Sequence, residues 1–319
     1  LSSDQHAARS FDFMLANPPY GKSWKTDADK MASGKKKEIL DTRFNAATAD
    51  GEPLPMISRS SDGQLLFLLN NISKMKQDTP LGSRIAEVHN GSSLFTGDAG
   101  SGESNARRYM IENDMVEAVI ALPEKMFYNT GIGTFIWVLS NRKEERRKGK
   151  IQLIDATAIK TPLRKNMGEK NCELSPTQRQ EIVRIFMAFE ESEVSRIFPN
   201  SEFGYWKVSV QQPLLDEQGN PVREKKGRIQ PDKSKSDTEI IPFNYEGGIE
   251  AFMDAEVRPY APGAFVDPKG TKIGYELSFT KYFYKQVQLR PMEDIAADLK
   301  ALEKETDGML AEILGGIQG

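Results

Sequence analysis

The sequence predicts an α/β fold on three observations. Short apolar runs of strand length recur through the first half, at residues 11–16 (FDFMLA), 83–88 (SRIAEV), 116–122 (VEAVIAL), 135–139 (FIWVL) and 151–154 (IQLI). Stretches with helical spacing separate several of them, and strands alternating with helices build a sheet covered by helices. At 319 residues, 38% of them hydrophobic, the chain is long enough for roughly two domains.

Each element has a local cause. The run at 11–16 stops at Asn17-Pro18-Pro19-Tyr20, where paired prolines force a turn. Residues 21–48 change to Lys, Asp, Ser and Gly, including Lys35-Lys36-Lys37, and read as a polar loop that residues 51–61 extend. Leu65 to Leu69 (LLFLL) belongs to a helix running towards Lys76. A glycine-rich loop follows the strand at 83–88, over 91–102 (GSSLFTGDAGSG), and then a helix over 103–113 with apolar spacing from Ala106, Met110 and Ile111. The strand at 116–122 ends at Pro123, and the basic run 142–150 (RKEERRKGK) separates the last two strands. A doubly wound sheet normally opens on a strand and a glycine-rich cofactor turn, and no G-x-G-x-x-G precedes Phe11. The expectation is a partial Rossmann-like sheet lacking its first strands. The start, LSSDQHAARSFDF, has neither a Met nor a signal-peptide pattern, which reads as a piece of something longer.

The second half predicts a helical and mixed carboxyl-terminal region. Ser175-Pro176 supplies an N-cap and first helical residue, and Ile182, Ile185, Phe186 and Phe189 share one face of a helix over 175–193. Residues 207–210 suit a strand, and 216–237 form a polar excursion, loop or hairpin. Met292, Ile295, Leu299, Leu302, Thr306, Met309 and Ile313 alternate at spacings of 3 and 4, the seam of a terminal coiled-coil-like helix. Such a helix either packs on its own domain or meets a helical partner. The division expected is 1–160, 161–290 and 291–314.

Composition excludes several classes. Forty-six acidic against 43 basic residues give a net charge of −3, which rules out a generally basic nucleic-acid coat protein but not a local basic patch. One cysteine, Cys172, and two histidines, His6 and His89, exclude a disulfide framework and any ordinary zinc site, so no metal is expected. No apolar run approaches a bilayer span. A soluble, cytoplasmic-type protein without membrane partners is the expectation.

Chemistry centres on Asn17-Pro18-Pro19-Tyr20. The lone pair of an exocyclic amine is delocalised into its ring, so the nitrogen is a poor nucleophile. Acceptors that hold both N–H groups favour a pyramidal nitrogen whose lone pair points at a methyl donor. The Asn17 side-chain oxygen supplies one acceptor and the Pro18 carbonyl the other. The prolines stiffen the backbone so that this carbonyl is aimed in advance, and Tyr20 offers a ring on which a planar base stacks. The competing reading is a plain turn after a strand. The position at a strand's carboxyl end, where open α/β sheets bind ligands, favours the catalytic one.

FDFMLANPPYGKSWK, NGSSLFTGDAGSGES and EAVIALPEKMFYNTGIGTFIWVLSNRK together resemble the modification (M) subunit of type I restriction–modification systems, an adenine-N6 DNA methyltransferase. The resemblance continues through KIQLIDAT, FGYWKVSV and KIGYELSFTKYFYK, nearly the whole chain. It implies a methyltransferase sheet, S-adenosyl-L-methionine as cofactor, and base flipping of adenine from duplex DNA. It places the catalytic residues at Asn17, Pro18, Pro19 and Tyr20. It also implies that Phe127 stacks on the other face of the flipped base, making a Tyr20/Phe127 sandwich, against the alternative that Phe127 is core. The family's cofactor loop lies before the catalytic tetrapeptide. On this reading the chain is a carboxyl-terminal fragment without the main cofactor loop, inactive by itself, in which Asn17 borders the donor methyl. The resemblance further implies a separate specificity (S) subunit that selects the DNA site, with a second M subunit and a restriction (R) subunit in the full complex. The 292–313 seam would then dock the S subunit.

The loop 97–104 (GDAGSGES) lacks the Gly-Lys-Ser/Thr of a phosphate-binding loop, and Ser101 or Ser104 suits a helix cap. Lys22, Lys25, Lys30, Lys35, Lys36 and Lys37 directly follow the catalytic turn, which makes them better DNA-contact candidates than the run 142–150. A charge run is more often a solvated face. Two other readings stay open: a related tetrapeptide enzyme acting on an RNA guanine or a protein glutamine, and an inactive assembly or DNA-clamp module.

Overall fold

The computed structural model describes residues 1–35, 37–128, 131–224, 227–284 and 291–315. In chain order, the strands and helices of the amino-terminal half are β1 (Phe13–Ala16), α1 (Lys25–Met31), β2 (Asn45–Ala47), β3 (Pro53–Pro55), α2 (Gln64–Ile72), β4 (Arg84–Asn90), α3 (Ser92–Phe95), α4 (Gly102–Glu112), β5 (Val116–Ala121), β6 (Thr134–Ser140) and β7 (Lys150–Asp155). Then come β8 (Thr161–Met167), β9 (Lys170–Glu173), α5 (Pro176–Ala188), β10 (Ser195–Pro199), β11 (Gly204–Pro213), β12 (Pro231–Pro242), α6 (Gly248–Phe252), β13 (Phe265–Tyr275), α7 (Phe279–Phe283) and α8 (Met292–Gly315). Residues 1–282 form one compact unit and 283–319 a second.

Six strands make the main sheet, in the order β1-β4-β6-β5-β7-β10. β1 and β4 pair in parallel, as do β5 and β7, while β6 is antiparallel to both of its neighbours and β10 to β7. All five predicted runs are strands of this sheet, and the α/β class stands. The sheet is sandwiched because its strands bury side chains on both faces. Ile85, Glu87 and Trp137 lie under α2 and α3, where Asn71 Nδ2 donates to Glu87 at 2.7 Å and Trp137 Nε1 to Ser93 Oγ at 3.0 Å. On the opposite face Ala118, Ile120, Val138 and Ile154 meet Ile182, Ile185 and Phe186 of α5. β1 is an edge strand: Met14 is buried, while Phe13 and Leu15, on its other face, are exposed.

α5 begins as its sequence predicts. Ser175 Oγ accepts from the Gln178 N–H at 3.2 Å and Gln178 Oε1 accepts from the Ser175 N–H at 2.9 Å, a capping box with Pro176 in the first turn. A second sheet, β12-β11-β13, buries Val208, Val210 and Ile241 against Met253, Val257 and Ala264. In the second unit, α8 is one continuous helix that contains every position of the 292–313 seam.

Several expectations are corrected. The polar stretch 21–48 is not all loop; it holds α1 and β2, and β3 pairs with β2 as a small hairpin. The excursion at 216–237 takes its hairpin alternative: β12 begins at Pro231 and pairs antiparallel with β11. The basic run 142–150 is solvated at most of its positions, but two of its cations are enclosed. Lys143 is buried and donates to Asp114 at 2.6 Å, and the buried Arg147 guanidinium lies 4.2 Å from the Phe186 ring and 4.3 Å from that of Phe189. These cations fasten β7 and α5 to the loop ahead of them.

Burial would raise the Asp114 carboxyl, but hydrogen bonds from Lys143, the Gly149 N–H and Asn200 outweigh it and hold the group below its ordinary value of 3.8. A depressed folded-state pKa contributes stability that is full above the unfolded value and is lost as pH falls through the folded one. Asp114→Asn is therefore expected to lower the melting temperature at pH 7, by an amount that shrinks as both proteins are titrated below about pH 4. Thermal melts across that range check it, and a pH-independent difference contradicts it.

Candidate active site

Since β1, β4, β5 and β7 run in one direction, their carboxyl ends share an edge of the sheet. Asn17 directly follows β1, and Phe127 lies in the connection from β5 to β6. The order β1-β4-β6-β5 puts those two connections three strand positions apart, roughly 14 Å at ordinary sheet spacing. The expected pair thus stands on one edge, each member on its own loop.

The Asn17 side chain is exposed, and among the described residues it has no hydrogen-bonding partner. Pro18 is buried and Pro19 exposed; the chain must enter the turn against the sheet and leave it facing outward. Tyr20 is half-buried, and that burial raises its phenol above the usual value. Gly21 follows with φ +65°, a left-handed conformation that glycine adopts without strain. The segment is then anchored by Trp24, which is buried. Phe127 is half-buried against Ala118, Ile120, Leu122, Val138 and Ile154, so its ring is held by the sheet's own core at the rim of the edge. Among the described residues no ring contact joins it to Tyr20.

Beside the turn, the end of β4 carries a polar network that the sequence reading missed. Gln64 Nε2 lies 2.6 Å from Asp62 Oδ2, 2.7 Å from Asn90 Oδ1 and 2.8 Å from Ser92 Oγ. Its Oε1 accepts from the Asn90 N–H at 3.1 Å. A cavity of about 10 Å³, one water's room, sits between Ser58, Asp62, Gln64, Ser92 and Glu103. The sequence offered only Glu87 and His89 alternating with apolar residues in RIAEVHN, a pattern that ordinarily marks a solvent-facing side and so hid this buried polar face. His89 Nε2 and Glu87 Oε1 are 3.0 Å apart, both side chains fully enclosed. A larger hollow of about 430 Å³, lined by Asp12, Phe13, Leu81, Arg84 and Arg142, lies at the opposite, amino-terminal end of β1 and away from Asn17.

Of the predicted DNA-contact lysines, Lys22, Lys25, Lys30, Lys35 and Lys37 are exposed on and around α1, directly after the turn. Lys36 lies outside the described residues. The glycine-rich loop 97–104 is engaged inside the fold. Asp98 pairs with Lys207 of β11 at 2.6 Å, Ser104 Oγ accepts from the Tyr275 N–H at 3.0 Å, and Gly97 and Gly100 take φ of +95° and +78°. Ser101 holds the N-cap position of α4, but its hydroxyl makes no capping bond; Ser104 spends its own on β13. The loop therefore joins the second sheet to the first. Among the described residues no cluster of His, Cys, Asp and Glu could hold a metal, and no helix is long and apolar enough to cross a membrane.

Open α/β sheets bind ligands at the carboxyl ends of their strands, and Asn17-Pro18-Pro19-Tyr20 stands at such an end here. The chain belongs to the N-6 DNA Methylase family, whose profile matches residues 1–208. It is 27% identical over 213 residues to the type I restriction enzyme MjaIX methylase subunit of Methanocaldococcus jannaschii, covering 65% of this chain and 33% of that one. Against the MpnII methylase subunit of Mycoplasma pneumoniae it is 29% identical over 181 residues, 57% of this chain and 28% of the relative. The chain thus spans about a third or less of the length of the curated relatives it matches. Among solved structures, a type I methyltransferase subunit from Streptococcus thermophilus superposes with a TM-score of 0.47 at 23% identity, over 61% of this chain and 36% of that one.

One packing constraint near the site is directly testable. A Cβ on Gly102 would lie 1.8 Å from the Ile57 carbonyl oxygen, and the obstructing atom is backbone. Gly102→Ala is expected to cost about 1–3 kcal/mol, measured as a shift in denaturation midpoint. A variant as stable as the parent contradicts that close approach.

Proposed function

We propose that this chain carries the base-handling part of a DNA adenine-N6 methyltransferase that works as the modification subunit of a type I restriction–modification system. The observation that carries it is the free Asn17 carboxamide at the carboxyl end of β1, inside Asn17-Pro18-Pro19-Tyr20. Family membership makes methylation of DNA the parent chemistry; adenine N6 and S-adenosyl-L-methionine are the finer reading that this tetrapeptide supports.

The turn does three things in this mechanism. Asn17 Oδ1 and the Pro18 carbonyl accept the two amine N–H groups and release the nitrogen lone pair from the ring. Tyr20 lies under the flipped base, and Phe127 closes on its other face. The exposed lysines Lys22, Lys25, Lys35 and Lys37, together with Lys36 of the same run, receive the phosphates flanking the extruded nucleotide. S-adenosyl-L-methionine would supply an electrophilic methyl when bound, and Asn17 would border it. With the donor bound, the amine nitrogen held by Asn17 and Pro18 would take the methyl and then lose its extra proton to solvent, so these residues need supply no strong base. The 1–160 region does this work, the 292–313 seam of α8 docks a specificity subunit that chooses the DNA site, and a second modification subunit and a restriction subunit complete the assembly.

The test is methyl transfer to duplex DNA by the native protein with its specificity subunit. Asn17→Ala is expected to reduce the rate about a thousandfold with DNA binding intact, since a lost acceptor costs several kcal/mol in the transition state. An unchanged rate makes the tetrapeptide a structural turn; transfer to RNA or to a protein glutamine in place of DNA replaces the substrate. Replacing Lys22, Lys25 and Lys35 by Ala is expected to lower the slope of log K against log salt by about one for each lost phosphate contact. An unaltered slope removes those lysines from the interface.

A further inference from the structure

We propose that Glu103 is a positioning residue for the methyl-transfer site, acting through the backbone of Arg59 and the indole of Trp24 on the Asn17-Pro18-Pro19-Tyr20 turn. The inference rests on the catalytic reading of that turn. Glu103 sits in the first turn of α4, is 8% exposed, and its Oε1 accepts a hydrogen bond from the Arg59 main-chain N–H at 2.8 Å. The Arg59 guanidinium is 3.8 Å away on a half-exposed side chain, so the close, enclosed bond is the one to the backbone.

That bond fixes a strap, residues 55–63, laid across the amino end of α4. Asn105 Nδ2 donates to the Pro55 carbonyl at 2.8 Å, and Gly102 has no side chain, which lets the Ile57 carbonyl come close. On its other side the strap accepts both of Trp24's N–H groups. The indole Nε1–H donates to the Arg59 carbonyl at 2.8 Å and the main-chain N–H to the Ser60 carbonyl at 3.0 Å. Trp24 also packs against Gly63, where a Cβ would lie 2.9 Å from its ring. Arg59 is thus held by Glu103 through its N–H and holds Trp24 through its C=O.

Trp24 is four residues beyond Tyr20, with the left-handed Gly21 between them. The catalytic turn is fixed at its start by the pairing of β1 with β4, up to Ala16 opposite Glu87. Past its far end the chain is held first by Trp24, which depends on the strap, and then by α1, where Asp27 Oδ1 accepts from the Ser2 N–H at 2.9 Å. A carboxylate suits the task. It satisfies a strap N–H that would otherwise be enclosed without an acceptor, and it lies at the positive end of the α4 dipole. The chemistry requires the Pro18 carbonyl and Asn17 Oδ1 to be aimed together, and a displacement of about 1 Å costs on the order of a hundredfold in such sites.

The experiment measures methyl transfer to duplex DNA by the native protein with its partner subunits. Glu103→Ala is expected to lower kcat about tenfold or more, with KM for DNA and for S-adenosyl-L-methionine changed less than about twofold. Glu103→Gln keeps an acceptor oxygen for the Arg59 N–H and is expected to recover kcat to within about threefold of wild type. Trp24→Phe, which keeps a ring and removes the indole N–H, is expected to lower kcat, and combining it with Glu103→Ala to cost no more than the larger single loss. Wild-type kcat in Glu103→Ala, a Gln variant as slow as the Ala variant, or additive losses in the double variant each overturn the relay. Should Glu103→Ala fail to fold, Trp24→Phe decides: an unchanged kcat overturns the proposal. Asn17→Ala assayed in parallel separates the two readings, because full activity there removes the catalytic turn itself, whereas an inactive Asn17→Ala beside a fully active Glu103→Ala removes only the relay.

Discussion

A buried guanidinium with too few acceptors of its own organises the centre of this protein. Arg107, in α4, is fully enclosed, and burial pushes its pKa down to about 10. A cation so placed must find oxygen atoms or destabilise the fold. It finds the carbonyl of Tyr275 at 2.6 Å and that of Ser93 at 3.1 Å. Those two bonds draw the end of β13 and the short helix after β4 onto α4. Ser104, one turn earlier, takes the Tyr275 N–H, so both backbone groups of one β13 residue are satisfied by one helix. The second sheet is thereby attached through α4, the same helix whose amino end faces the strap under Trp24.

The division of labour along α4 explains the glycines in the segment before it. A loop that must turn sharply between two packed sheets and let foreign backbone come close needs residues without side chains, whatever its chemistry. Asp98 and Ser104, the polar residues that could have faced an anion, are committed to Lys207 and to β13. Glycine content records close backbone approach here, and GDAGSGES lacks the Gly-Lys-Ser/Thr of a phosphate-binding loop.

What was legible in the sequence follows from burial. β4, β5, β6 and β7 are buried along most of their length, so their apolar runs announced them, and the capping box of α5 is written in Ser175-Pro176 and Gln178. β8 and β12 were not legible, because their side chains face solvent and TPLRKNM and KSKSDTE carry no alternation; long-range pairing makes them strands. The Asn17-Pro18-Pro19-Tyr20 turn could be picked out because prolines, an asparagine and a tyrosine in a row are unusual chemistry in a small space. Its support could not. Trp24, Arg59 and Glu103 are 35 and 44 residues apart along the chain and share no pattern. Lys143 and Arg147 misled for a related reason: a run of charges says nothing about which of them the fold will enclose.

The distance along the chain between Arg107 and Tyr275, 168 residues, has a consequence for how the protein is made. A polypeptide emerges from the ribosome amino end first, at roughly 5–20 residues per second. The strands around Asn17 therefore leave the exit tunnel several seconds or more before the carbonyl that completes α4's environment. Until then a cation already folded against the sheet would be short of an oxygen. Closing so long a loop also carries an entropic cost that local contacts do not share, and slow, non-local closure leaves partly formed surfaces exposed. Nascent chains cut short before Tyr275 should accordingly lean on chaperones, with the first sheet formed and the second half of its fastening still to be translated.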